Sequence, residues 1–352
     1  MTTAAPVKLK APFPYFGGKS KIAPVVWQAI GTDVRNYVEP FFGSGAVLLG
    51  RPEWTNRIET INELSPFVAN FWRATKADPE AVAHHADWPV NEIDLHARHR
   101  WLVNQEDFKA SMLADPDYYD AKIAGWWVWG ISAWIGHGWC EGDNELSQQV
   151  PDVTGYQYGK GVHSLTVRNE LSQQMPYLSK GHGQGVAALT MRTICQQLPF
   201  VGGDKGRHGS GIHGLSLRST LVDTFIRLAE RLRYVRVTCG DWSRVMKAAL
   251  ITKEYTSSVF LDPPYTTSSD MYGAKTNVSA DVLEWCKANW ENPKLRIVYC
   301  GYEGDLPVPE HWRKVAWKSA KGYQSKGNLN PARERLWLSP ACLPLADEMR
   351  LI

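Results

Sequence analysis

Two stretches of this chain, residues 11–75 and 219–340, read as strand, turn and helix in alternation. That alternation constrains the fold more than any other feature. A strand that returns through a helix to a parallel neighbour leaves few topologies open. The first unit runs along Tyr37 to Phe41, turns through Phe42-Gly43-Ser44-Gly45 and enters an apolar helix start at Ala46. Ahead of it, Tyr15-Phe16-Gly17-Gly18-Lys19 is a glycine turn before a helix over Lys21 to Ile30, with Ser20 as cap and Gly31 as stop. A second strand is expected at Arg57 to Ile61, ending in Asn62-Glu63. From Thr220 to Arg233, apolar residues at Leu221, Phe225, Leu228 and Leu232 recur at helical spacing. Strands are then expected at Tyr234–Thr238, Ser258–Leu261, Leu295–Cys300, Trp312–Trp317 and Arg335–Leu338, with helices over Trp242–Ile251 and Ala280–Trp290. These make an open, mostly parallel sheet with helices on both faces. The last two strands, joined without a helix, are expected to lie antiparallel at one edge.

Ligands of such sheets bind at the carboxyl ends of the strands. Three acids fall there: Glu63, Asp241 and Asp262. Glu63 lies about 20 residues past the glycine turn, where such folds bind ribose hydroxyls; the alternative is a solvated acid in a loop. Asp262 opens Asp262-Pro263-Pro264-Tyr265 directly after the apolar run Ser258 to Leu261. The prolines fix φ and supply no backbone donor. They hold a carboxylate, backbone carbonyls and an aromatic face in one rigid turn, which suits an exocyclic amino group with a ring to stack on. The phosphate-binding pattern G-x-x-x-x-G-K-[ST] is absent. Carboxylates without a phosphate cradle suit a ligand with ribose, adenine and an ammonium group, as in S-adenosylmethionine.

Composition excludes more than it assigns. No stretch approaches a transmembrane span, and Met1 to Lys10 lacks the apolar core of a signal peptide. The six cysteines form no C-x-x-C pair and fit reduced thiols. His96/His99 and His137/Cys140 lack a matching second pair, so no metal site is expected. The net charge of +3 does not announce a polyanion partner.

Taken jointly and in order, Tyr15 to Lys19, Glu39-Pro40-Phe41-Phe42-Gly43-Ser44-Gly45 and Asp262-Pro263-Pro264-Tyr265 resemble the Dam-type N6-adenine DNA methyltransferases. The resemblance implies a Rossmann-like seven-stranded methyltransferase sheet with an inserted, mainly helical and loop-rich target-recognition lobe. Residues 1–75 and 219–352 would form the S-adenosylmethionine-binding catalytic domain, and residues 76–218 the DNA-binding insert. It implies that Tyr15 and Lys19 flank the methionine end of the cofactor, and that Phe42, Gly43 and Gly45 pass beside it. Glu63, where the family more often has Asp, would take the ribose hydroxyls. Asp241 would accept from the cofactor's adenine amino group. Asp262, adjoining the cofactor, and the Pro263 carbonyl would accept from the target amino group, with Tyr265 stacked on the extruded base. The implied partner is double-stranded DNA, met by a monomer in the cytoplasm of a bacterium or of a phage's bacterial host, with no metal and no membrane. N4-cytosine transfer and a catalytically silent DNA-binding homologue remain the competing readings.

The tryptophan-rich run Trp126-Trp127-Val128-Trp129 in the insert is read as core rather than base stacking. Beyond it lies an internal repeat. Gln148 to Pro151, Gln173 to Pro176 and Gln196 to Pro199 each lead to a Gly-x-Gly element and then an arginine, Arg168, Arg192 or Arg218. The spacing between repeats is that of a supersecondary unit. With Lys205 and Arg207 these arginines are candidate DNA contacts, as are Lys321 and Lys326 in a second basic stretch. The competing reading is a duplicated loop and a solvated hairpin tip.

Overall fold

The computed structural model describes residues 9–15, 18–134, 139–140, 212, 218–246, 254–265, 278–317 and 333–346. Their centre is a seven-stranded sheet in the order β3-β2-β1-β4-β5-β7-β6. The strands are β1 (Asn36–Glu39), β2 (Ile58–Glu63), β3 (Val235–Cys239), β4 (Ser257–Leu261), β5 (Leu295–Tyr302), β6 (Arg313–Ala316) and β7 (Glu334–Leu338). The first five run parallel, with Val38 opposite both Thr60 and Val259. Strand order reverses between β1 and β4, which makes that boundary the ligand-binding switch point of the sheet. β1 and β4 are buried along their whole length, as expected for parallel strands covered on both faces.

The expected antiparallel end is present in a specific form. β7 inserts between β5 and β6 and runs antiparallel to both. Its register sets Glu334 opposite Tyr302 and Leu338 opposite Val298. The first residue of β7 therefore lies at the carboxyl end of β5, on the ligand edge.

Helix α1 (Ala23–Ile30) starts with Ile22 in the cap position and no side-chain cap, so Ser20 does not play the expected part. Pro24 in the first turn needs no N–H partner there. Gly31, at φ +81°, stops the helix as expected. The four-residue α2 (Ala46–Leu49) follows the glycine turn. α3 (Pro66–Ala77) leaves β2 and is buried over most of its length. The Arg73 guanidinium at its centre donates to the carbonyls of Met112, Asp115, Tyr118 and Val237.

Residues 79–133 form α4 (Pro79–Ala86), α5 (Glu92–Val103), α6 (Glu106–Ala114) and α7 (Ala121–Ala133). α4 and α7 pack on each other and on α3, and α4 and α3 pack on α8 (Arg218–Leu232). Trp127 meets Phe13 at 4.9 Å edge-on, and Phe13 meets Phe71 at 5.2 Å in the same way. The tryptophan run thus contributes to the core shared with the sheet, as read from the sequence for Trp127 and Trp129. Trp134, partly buried against the same core, also stacks on His99 at 5.3 Å. α9 (Val278–Asn289) covers the other side of the sheet, beside β5.

The expected helix over Trp242–Ile251 needs correction. Its described part is a 3-10 turn, Trp242–Val245. Asp241 caps this turn by accepting from the Ser243 amide at 2.9 Å. The remainder of that expectation lies outside the described residues, as do Arg168, Arg192, Lys205, Arg207, Lys321 and Lys326. Arg218 is the first residue of α8. Among the described residues no helix is long and apolar enough to cross a membrane.

Candidate active site at the carboxyl edge of the sheet

The glycine turn after β1 is held open from three directions. Gly43 and Gly45 adopt φ +50° and +70°, where side-chain-bearing residues are strained. A Cβ on Gly43 would lie 2.6 Å from the Tyr15 ring, so Tyr15 sits directly against bare backbone. Trp72 of α3 donates to the Gly43 carbonyl at 2.9 Å. The Gly43 amide donates to Glu63 Oε2 at 2.9 Å. The Phe42 ring is buried and packs on Trp72 at 4.9 Å, so Phe42 presents backbone to this edge.

Glu63, the last residue of β2, is tied to the same turn. Its Oε1 accepts from the amides of Leu64 at 2.9 Å and Ser65 at 3.2 Å. Burial raises its pKa, against the three amides, which lower it. A carboxylate offers about four lone-pair directions, so three contacts leave one for a ligand hydroxyl. Asn62 behind it donates to the carbonyls of Pro40 and Gly240 and locks the ends of β1, β2 and β3 together. Asp241 is exposed, and Ser243 occupies its Oδ1 through both N–H and hydroxyl. Phe41 and Trp242 face each other near this corner at 6.2 Å.

Across the switch point lies the second half of the site. Lys19 reaches over the end of β4 and places its ammonium 2.8 Å from Asp262 Oδ2 and 2.9 Å from Glu334 Oε1. The Tyr265 hydroxyl is 3.0 Å from Asp262 Oδ1 and 2.8 Å from the same Glu334 oxygen. Pro263 is buried, and Ser279 of α9 donates to the Pro264 carbonyl at 2.5 Å, pinning the proline turn to a helix. The Tyr265 ring meets Tyr302 at 4.4 Å. Lys19 also lies 5.5 Å from the Trp317 ring.

Electrostatics in this pocket are set by burial. Burial alone would lower the Lys19 pKa, but Asp262 and Glu334 outweigh it and raise it, so the ammonium stays charged. Burial pushes the Asp262 carboxyl up; Lys19 opposes this and Glu334 adds to it. Tyr265 is pushed well up, first by burial and then by Asp262, and stays a neutral donor. Burial likewise raises Glu39 at the end of β1, which accepts from the Tyr37 hydroxyl at 2.7 Å.

The structure therefore brings Tyr15, Gly43 and Glu63 into one group, and Lys19, Asp262 and Tyr265 into another, both at the carboxyl edge. Asp241 stands at the far end, just after β3. Glu334, Trp317 and Tyr302 were not foreseen from the sequence. The one available signal for Glu334 was its being the single acid among seven lysines and arginines from His311 to Arg335.

Residues 15–115 match the family model of the D12 class N6 adenine-specific DNA methyltransferases. That span runs from Tyr15 through the glycine turn and Glu63 into the helices that follow. No curated protein matches the chain significantly.

Proposed function

We propose the division of labour by which this chain, which belongs to the D12 class of N6 adenine-specific DNA methyltransferases, carries out its reaction. It is an enzyme that methylates adenine N6 in DNA, with S-adenosylmethionine as donor. The observation that carries the assignment of residues is the meeting of the first and last motifs: Lys19 lies on the Asp262 carboxylate at 2.8 Å.

The residues at the switch point fit the donor. Glu63 keeps one lone-pair direction for a ribose hydroxyl. Gly43 offers backbone that a Cβ would obstruct, and the exposed Asp241 is available to an adenine amino group. Tyr15 and Lys19 close the methionine side. S-adenosylmethionine supplies an electrophilic methyl on sulfur.

The aromatic amine is a poor nucleophile because its lone pair is delocalised into the ring. Asp262 and the Pro263 carbonyl accept from its two hydrogens, which favours a pyramidal nitrogen and aims the lone pair. Asp262 Oδ1 exchanges the Tyr265 hydroxyl for an amino hydrogen as the base arrives. Tyr265 supplies the stacking face. Positioning and fixed charge then account for most of the rate, and no covalent nucleophile is needed. The Asp262 carboxylate, whose pKa is raised, is the nearest base for the hydrogen the nitrogen gives up. A base inside a duplex cannot reach this pocket, so the target is extruded at a cost of roughly a few kcal/mol.

The proposed substrate is duplex DNA, bound by a monomer in the bacterial cytoplasm. Residues 76–218 form the target-recognition insert. Within it α4 to α7 are packed against the frame, so DNA contact is assigned to the arginine-bearing repeat and to Lys321 and Lys326. Labelled methyl transfer to a duplex, and to its separated strands, tests the substrate form. Duplex-dependent incorporation is expected, and incorporation into single strands alone would overturn it. Arg192→Ala is expected to weaken duplex binding and reduce the salt slope by about one. Unchanged binding would leave the repeat a structural loop.

A further inference from the structure

Glu334 has no part in the roles assigned above, yet it touches two of the residues that carry them. It is 3% exposed and sits at the start of β7, where the antiparallel register brings it to the ligand edge. One oxygen, Oε1, meets both the Lys19 ammonium at 2.9 Å and the Tyr265 hydroxyl at 2.8 Å. A buried carboxylate beside a second carboxylate is costly unless something uses it. Here Asp262 and Glu334 share one ammonium, which leaves one net negative charge when both are ionised. The Tyr265 hydroxyl has a single hydrogen and faces both carboxylates, so it donates to one at a time. The cluster therefore has a place for one further proton, between Asp262 Oδ1 and the Tyr265 oxygen.

We propose that Glu334 is a positioning residue for methyl transfer: it anchors Lys19 and Tyr265 on the Asp262 carboxylate, and its charge sets the pH at which that carboxylate becomes a free acceptor. An ionised Glu334 disfavours a second negative charge at Asp262 and so favours the protonated acid at lower pH. Among the described residues, the other titratable groups facing Asp262 are Lys19 ahead of α1, Tyr265 on its own turn, Tyr299, Cys300 and Tyr302 on β5 and Glu39 on β1. Lys19 alone among them carries a positive charge, and its raised pKa keeps it constant through the working range.

The proposal rests on Asp262 as the acceptor, and its test separates the two. Single-turnover methyl transfer is followed against pH for the full chain, with E334Q and E334D, alongside S-adenosylmethionine binding. E334Q is expected to slow transfer by about 10–100-fold at neutral pH through loss of alignment. Its acid limb is expected to move down by about one pH unit, because the like charge on Asp262 is gone. Cofactor affinity is expected to fall far less than the rate, because Gly43, Glu63 and Asp241 keep their contacts and Lys19 keeps Asp262. E334D keeps the charge on a shorter arm, so its acid limb stays in place while its rate falls. Should E334Q fail to fold, E334D carries the test through its rate and its unmoved limb. An E334Q acid limb that coincides with wild type, or an E334D rate equal to wild type, overturns the role of Glu334. An active Asp262→Ala instead sinks the acceptor assignment itself.

Discussion

Asp262→Ala is expected to lower single-turnover methyl transfer by at least about a thousandfold while S-adenosylmethionine still binds. The substitution removes the acceptor that orients the amino group. It does not strand a charge, because Lys19 remains 2.9 Å from Glu334 and that pair is neutral. The residues assigned to ribose and adenine, Glu63 and Asp241, stand across the switch point on β2 and after β3 and keep their contacts. The expected outcome is thus a split between chemistry and binding. Equilibrium dialysis with labelled donor reports one half, and rapid-quench transfer to DNA the other. Near-normal transfer would mean that another group aligns the amine.

The second large effect concerns stability. Glu59 on β2 lies between two buried arginines. It accepts from Arg51 at 2.8 Å and from Arg231 of α8 at 2.6 and 2.9 Å. Each arginine also donates to a carbonyl, Arg51 to Val34 and Arg231 to Leu48. Glu59→Ala leaves two guanidinium charges buried without a counter-ion, at a cost of about 3–5 kcal/mol. Domains are commonly stable by only about 5–15 kcal/mol, so this is a large share. The group ties β2 to α8 and to the segment after α2. It thereby fixes the strand that ends in Glu63. A clear drop in the urea midpoint is expected for Glu59→Ala, and an unmoved midpoint would show that water or rearrangement satisfies both arginines.

The frame was legible in the sequence because strands and helices alternate with turn residues between them, although buried polar residues such as Glu39, Glu59 and Asn62 interrupt β1 and β2. Ser258 to Leu261 is the clearest apolar run, and it becomes β4. The turn residues were legible for a different reason: Gly43 and Gly45 at positive φ, and the prolines after Asp262, are demanded by backbone geometry. Of the helix expected from Trp242, the described part is a single 3-10 turn capped by the Asp241 carboxylate, a distinction of turn geometry that the apolar spacing does not carry. α5 lacked a clean apolar stripe because charged residues are buried in it. Arg98 lies among the rings of Trp88, Trp126 and Trp129, so a cation does the packing of an apolar side chain. Glu334 stayed hidden because its place depends on β7 entering antiparallel between β5 and β6. No local pattern encodes that insertion, and in the sequence Glu334 reads as one acid in a basic stretch.

The central claim is that the Asp262 turn directs methyl transfer to an adenine amino group. It is tested most directly by incubating the full chain with unmethylated duplex DNA and methyl-labelled S-adenosylmethionine, then digesting the DNA to nucleosides. The account predicts label in N6-methyldeoxyadenosine, absent with Asp262→Ala. Label confined to an N4-methylated cytosine nucleoside would contradict it.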